Sequence, residues 1–150
     1  MILDATLAYM HFAAILALAG FLVAEAMLLR GDLGRRDIAA LSRTDLAYFL
    51  AAMVTLATGA ARVFFGAKGV GFYVGNPVFW TKVGLFIVVA LVSIKPTIAF
   101  GRWRRAARDA AGYSVPPAAL QSARRLVLVE LHLLALLPLA AVLMARGIGH

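Results

Sequence analysis

Residues Thr6–Leu29 read TLAYMHFAAILALAGFLVAEAMLL. The stretch carries one carboxylate, Glu25, and one imidazole, His11, in an otherwise uncharged run. As a helix rising 1.5 Å per residue it is long enough to cross a hydrocarbon core of about 30 Å. Three further stretches have the same character: Asp45–Phe65, Phe79–Phe100 and Leu126–Ala145. Together they take up most of the 150 residues, which leaves no room for a soluble second domain. The expected fold is all-α: a four-helix transmembrane bundle, one integral-membrane domain over residues 1–150, without internal repeats.

Composition agrees. The chain is 63% hydrophobic and 15% charged, with mean hydropathy +0.91. Soluble domains run about 45–50% apolar and about 25% charged. That gap excludes disorder, a collagen-like fibre and a polar solenoid, and it argues against a water-soluble globule, which too little polar side chain is present to coat. The absence of cysteine excludes a disulfide scaffold, a thiolate zinc site, a cysteine-held iron–sulfur cluster and a cysteine nucleophile. No Gly-rich phosphate loop, HExxH or GxSxG occurs either.

The net charge of +8 reads as topology. Arg30, Arg35, Arg36 and Arg43 follow the first span, and Arg102, Arg104, Arg105, Arg108, Arg124 and Arg125 follow the third. The opposite side has Arg62, Lys68, Lys82 and Arg146. By the positive-inside rule both termini lie outside, on the periplasmic side of a bacterial inner membrane. The basic runs hug the membrane ends, so the expected partner is the lipid bilayer and not nucleic acid. The opening MILDAT lacks the basic region of a secretory signal, and the first span is read as a retained helix.

The connections read simply. RGDLGRRDIAALSRTD (30–45) is expected to hold a short interfacial helix. GAKGVGFYVGNPVFW (66–80) is a glycine-rich outer loop whose Tyr73, Phe79 and Trp80 suit an interfacial belt. RWRRAARDAAGYSVPPAALQSARR (102–125) is the longest loop, with Pro116 and Pro117 starting the last helix. Pro96 and Pro138 predict local kinks inside spans.

An ionisable residue inside a span costs about 3 kcal/mol on insertion scales, so each is a functional candidate. An outer group holds His11, Arg62, Lys82 and Arg146: cations around an imidazole, with Asp4 the nearby acid. Such a group suits an anionic ligand, or snorkels to lipid phosphates. An inner group holds Glu25, Asp45, Lys95 and Glu130, read as an ion-pair cluster that clamps the helices. At about 100° per residue His11 and Glu25 share a face, with Leu18 and Leu22 between them. Tyr48, Thr55, Gly59 and Arg62 share a face of span two, Lys82 and Ser93 of span three, and His132 and Arg146 of span four. Each polar stripe can turn inward in a four-helix bundle. A small-residue stripe, Ala13, Ala17, Gly20 and Ala24, marks either a contact between protomers of a homo-oligomer or larger complex, or ordinary packing.

A histidine near the end of a helix bundle is a usual ligand of b-type haem, whose carboxylates call for cations. His11 is the candidate for the iron, with Arg62, Lys82 and Arg146 for the carboxylates. His132 lies about 10 Å deeper than His11 at helical rise, so it is a second metal candidate or a satisfied core histidine. Copper is the alternative cofactor, through Met10, His11, Met144 and His150 near the outer face. A non-catalytic accessory subunit is the third reading.

Several runs carry a resemblance: Tyr9-x-His11, Gly71-Phe72-Tyr73, Asn76-Pro77-x-Phe79-Trp80-x-Lys82, Ser93-Ile94-x-Pro96-Thr97 and Met144-Ala145-Arg146-Gly147. Over nearly its whole length the chain resembles a bacterial family of four-span inner-membrane proteins, classed as a domain of unknown function. More remotely it is similar to the group with the CopD copper-resistance proteins and the HemJ-type protoporphyrinogen oxidases. The latter likeness implies haem b on His11, a basic site residue at Lys82, a weaker match at Arg62, and membrane oxidoreductase activity on a porphyrinogen or quinone. The HemJ type has a second axial methionine four residues after its histidine. Ile15 stands there in this chain, which implies a five-coordinate haem or a ligand from another helix.

Overall fold

The structure is a computed structural model and describes residues 2–146, apart from the side chains of residues 144 and 145. Gly147, His150 and the side chain of Met144 therefore lie outside the described residues. Five helices follow in order: α1 (Ile2–Leu28), α2 (Arg35–Phe65), α3 (Gly69–Val74), α4 (Pro77–Asp109) and α5 (Pro117–Ala145). Four of them, all but α3, are long and apolar enough to cross a membrane, and no strand occurs among the described residues.

Local chemistry sets the helix starts. At α2 the Gly34 N–H donates to Asp37 Oδ2 at 3.0 Å, half of a capping box. At α4 the Val78 N–H donates to Asn76 Oδ1 at 2.8 Å, and Pro77 takes a first-turn position where its missing N–H costs nothing. Pro117 opens α5 in the same way. Both α4 and α5 run on past their internal prolines, Pro96 and Pro138.

The helices overshoot the spans expected from hydropathy. No separate interfacial helix precedes span two: α2 is continuous from Arg35. The supposed long loop between the last two spans shrinks to residues 110–116. The reason is amphipathy. Ile38 and Leu41 extend the buried face of α2, and Trp103 and Ala107 continue the stripe of Pro96 and Phe100 on α4. Arg102, Arg104, Arg105 and Arg108 turn outward from that stripe. Averaged hydropathy falls where the arginines begin, while the inward face stays apolar.

Around the bundle α1 packs on α2, α2 on α4, α4 on α5 and α5 on α1; across the diagonals the backbones of the described residues stay apart, and α2 reaches α5 through the Tyr48 and Glu130 side chains. The two direct connections, α1–α2 and α4–α5, lie at one end, here the basic end. The N-terminus and the end of α5 mark the other, the terminus end. Packing differs between them. The clustered core runs from Leu18, Ala51 and Leu134 to Phe100, Trp103 and Val115, all toward the basic end. No residue before Leu18 on α1 or before Phe100 on α4 belongs to it among the fully buried members. Large side chains such as Leu16, Leu91 and Leu139 face outward, as lipid contact requires.

Candidate functional site

Two polar groups lie inside the bundle, one in each half. The first joins α1 and α2 near the terminus end. His11 Nδ1 lies 3.0 Å from Thr58 Oγ1. The Thr58 hydroxyl has a single proton and donates it to the Val54 carbonyl at 2.6 Å. Its oxygen is therefore an acceptor toward the ring, and His11 Nδ1–H is the donor. The Thr55 carbonyl is a further hydrogen-bond acceptor toward the ring, and in the neutral tautomer protonated at Nδ1 the lone pair is on Nε2. Gly59 lets the ring lie against α2, since a Cβ there would stand 3.1 Å from His11 Cε1.

Cations surround this histidine. Arg62 and Lys82 both act electrostatically on His11, and Arg62 and Lys68 act on Lys82. The Arg62 guanidinium sits 5.6 Å from the centre of the Phe12 ring, and its Nε is buried without a hydrogen-bond partner. Asp4, the acid nearby, accepts instead from the Ala67 N–H at 3.1 Å. That clasp ties the start of α1 to the chain leaving α2. A Cβ at Gly66 would collide with the Arg62 carbonyl, so the turn below the clasp needs glycine.

The second group draws on all four spans. Glu25 comes from α1, Asp45 and Tyr48 from α2, Thr97 from α4 and Glu130 from α5. Tyr48 O–H donates to Glu130 Oε2 at 3.3 Å, and Thr97 O–H donates to Asp45 Oδ1 at 2.7 Å. Glu25 and Glu130 are 2% and 1% exposed, and Oε1 of each lacks a partner. Glu25 interacts electrostatically with Asp45 and Glu130, so the three carboxyl groups share one region.

The structure places three of the residues singled out in the sequence away from the two groups. Lys95 does not belong to the acid cluster: it is exposed and forms no ion pair among the described residues. Pro96 takes the buried position on α4, and the roughly 100° step back from it turns Lys95 out of the bundle. His132 is exposed, with Nδ1 2.6 Å from the Leu128 carbonyl of its own helix. The inward face of α5 is Ala123, Val127, Glu130 and Leu134, and His132 lies about 200° around from Glu130. Arg146, the remaining residue of that stripe, is likewise exposed, and nothing joins it to His11 among the described residues.

The α1 and α2 stripes do face inward: Leu18, Leu22 and Glu25 are buried below His11, as are Tyr48 and Thr55. Sequence reasoning missed Thr58, Lys68 and Thr97 as members of the two groups. Thr58 was findable, four residues before Arg62 on one helix face. Thr97 was not, because its role depends on the register of α4 against α2.

Among the described residues no group of three or more His, Asp and Glu side chains is disposed to hold a metal ion. A family model described as a predicted membrane protein (DUF2214) matches residues 3–149. No curated protein and no solved structure matches the chain.

Proposed function

On the footing that the chain belongs to the DUF2214 family of predicted membrane proteins, we propose that it is a b-type haem redox protein of the bacterial inner membrane. The arginine-rich end faces the cytoplasm by the positive-inside rule, and both termini face the periplasm.

One observation carries the reading. His11 gives Nδ1–H to Thr58 and keeps the Nε2 lone pair, the arrangement in which a hydrogen-bond acceptor behind the ring fixes the tautomer and aim of a ligating imidazole. Two features support it. Arg62 and Lys82 act on the ring and have no carboxylate partner among the described residues, which suits the acid groups of a porphyrin. Among the described residues, the clustered apolar core does not extend into the half of the bundle around them. Haem, when bound, supplies one-electron redox chemistry at iron. The chain's own residues do the rest. Thr58 and Gly59 position His11, Arg62 and Lys82 balance negative charge, and the outward leucines keep the site in lipid. A quinone, a porphyrinogen or a partner subunit is the electron partner. The copper alternative has less support: Met10 is exposed, one helical step from His11, and the other donors lie outside the described residues.

The test is an absorption spectrum of detergent-purified protein, oxidised and then reduced with dithionite. A Soret band with sharp reduced bands is expected, lost in His11→Ala and kept in His132→Ala. A flat visible spectrum from cells supplied with haem precursor overturns the reading.

A further inference from the structure

Lys95 poses a problem that the haem site does not solve. A lysine inside a span is costly unless an anion meets it, and the three buried acids do not. The side chain instead lines a groove of about 400 Å³ along the α4–α5 seam at the basic end. Ala99, Arg102 and Trp103 of α4, Tyr113 of the connecting segment and Ser122 of α5 line it too. Lys95, Ala99 and Arg102 repeat at four and seven residues, so they share one face of α4. The two cations stand about 10 Å apart along the axis, Lys95 deeper and Arg102 nearer the surface.

No carboxylate lines this groove. Its charge is therefore uncompensated and its walls are largely apolar. Trp103 and Tyr113 add rings of the kind that sit at headgroup level. A volume near 400 Å³ is in the range of small-molecule sites. A free phosphate would match the cations and leave the apolar wall unused. A neutral lipid would match the wall and leave the cations unmatched. An anionic lipid matches both, and basic pockets between helices at a membrane face are known to take such headgroups.

We propose that the α4–α5 groove holds one anionic glycerophospholipid of the adjacent leaflet, its phosphate between Lys95 and Arg102 and its chains along the small residues of the seam. The lipid supplies the counter-charge that lets Lys95 remain in the span.

The test is native mass spectrometry of the full chain in detergent, titrated separately with phosphatidylglycerol, phosphatidylcholine and glycerol phosphate. Retention of one phosphatidylglycerol is expected, with little phosphatidylcholine and no glycerol phosphate. Lys95→Gln and Arg102→Gln should each weaken retention by about tenfold, the scale of one lost charge-assisted contact. Arg108→Gln, on the same helix but outside the groove, should leave it unchanged. Equal retention of the two phospholipids, or no effect of either groove variant, overturns the proposal. So does preferential capture of glycerol phosphate, which would make the groove a soluble-anion site. A second readout guards against a misfolded variant. In a Trp80→Phe background, brominated phosphatidylglycerol should quench Trp103 more strongly than brominated phosphatidylcholine, and equal quenching refutes the assignment.

Discussion

The two halves of this bundle handle polar side chains in opposite ways. Toward the basic end, carboxyl groups from three helices sit among the best-buried leucines, with Phe100 at 0% exposure beside them. Two of the acids meet a hydroxyl donor from another helix, Tyr48 or Thr97. Toward the terminus end, cations gather around one histidine in a region with little clustered core. The first half uses polar contacts to join helices. In the second, Arg62 and Lys82 have no acid partner among the described residues, and the polar ties are His11 to Thr58 and the Asp4 clasp at the rim. In a bilayer, where lipid tails are as apolar as leucine, helix association relies on packing and interhelical hydrogen bonds. The tight half follows that rule, and the loose half is where a ligand would complete the packing.

The sharpest way to break this contrast is His11→Ala. It should abolish haem absorbance while leaving the helical content by circular dichroism unchanged. Loss of folding instead would make His11 a structural residue like those of the other half. Next in size, Phe100→Ala should destabilise the protein by about 3 kcal/mol, read as a lower unfolding midpoint in detergent. Phe79→Ala, in the loose half, should shift it far less, and equal shifts would erase the distinction. Thr58→Val keeps the shape and removes the Nδ1 acceptor. Haem affinity should fall by about tenfold or more in a haem titration of the apoprotein, the usual scale when a ligating histidine loses the acceptor that orients it. The smallest effect is Tyr48→Phe, which leaves Glu130 without its O–H donor. It should cost about 1 kcal/mol of stability with no change in the spectrum.

Much of this was legible in the residues. Four spans follow from length and apolar content alone, and the shared face of His11 and Glu25 from about four turns of helical arithmetic. The failures have one physical origin. Phase within a helix says which residues share a face, but not which face turns inward. His132 and Arg146 do share a face of α5, and it is the outward one, because Val127 and Glu130 define the buried stripe. Lys95 was matched to the acids by depth, yet Pro96 beside it holds the inward position. The lengths of α2 and α4 escaped for a related reason: a window average merges an apolar face with the arginines behind it.

The Asp4 clasp has a consequence for assembly. It closes the α1–α2 pair at the far end from its connecting turn, so this hairpin is tied at both ends. The α4–α5 pair is joined by a short segment of its own, residues 110–116. The chain is thus two hairpins in series, each able to enter the membrane as a unit, with the stretch around α3 as the splice between them. Breaking the chain after Lys68, beyond the clasp, should leave two fragments that find each other when co-expressed. A break inside 110–116 should instead separate partners that depend on their connection. Co-purification of the tagged halves distinguishes the two cuts.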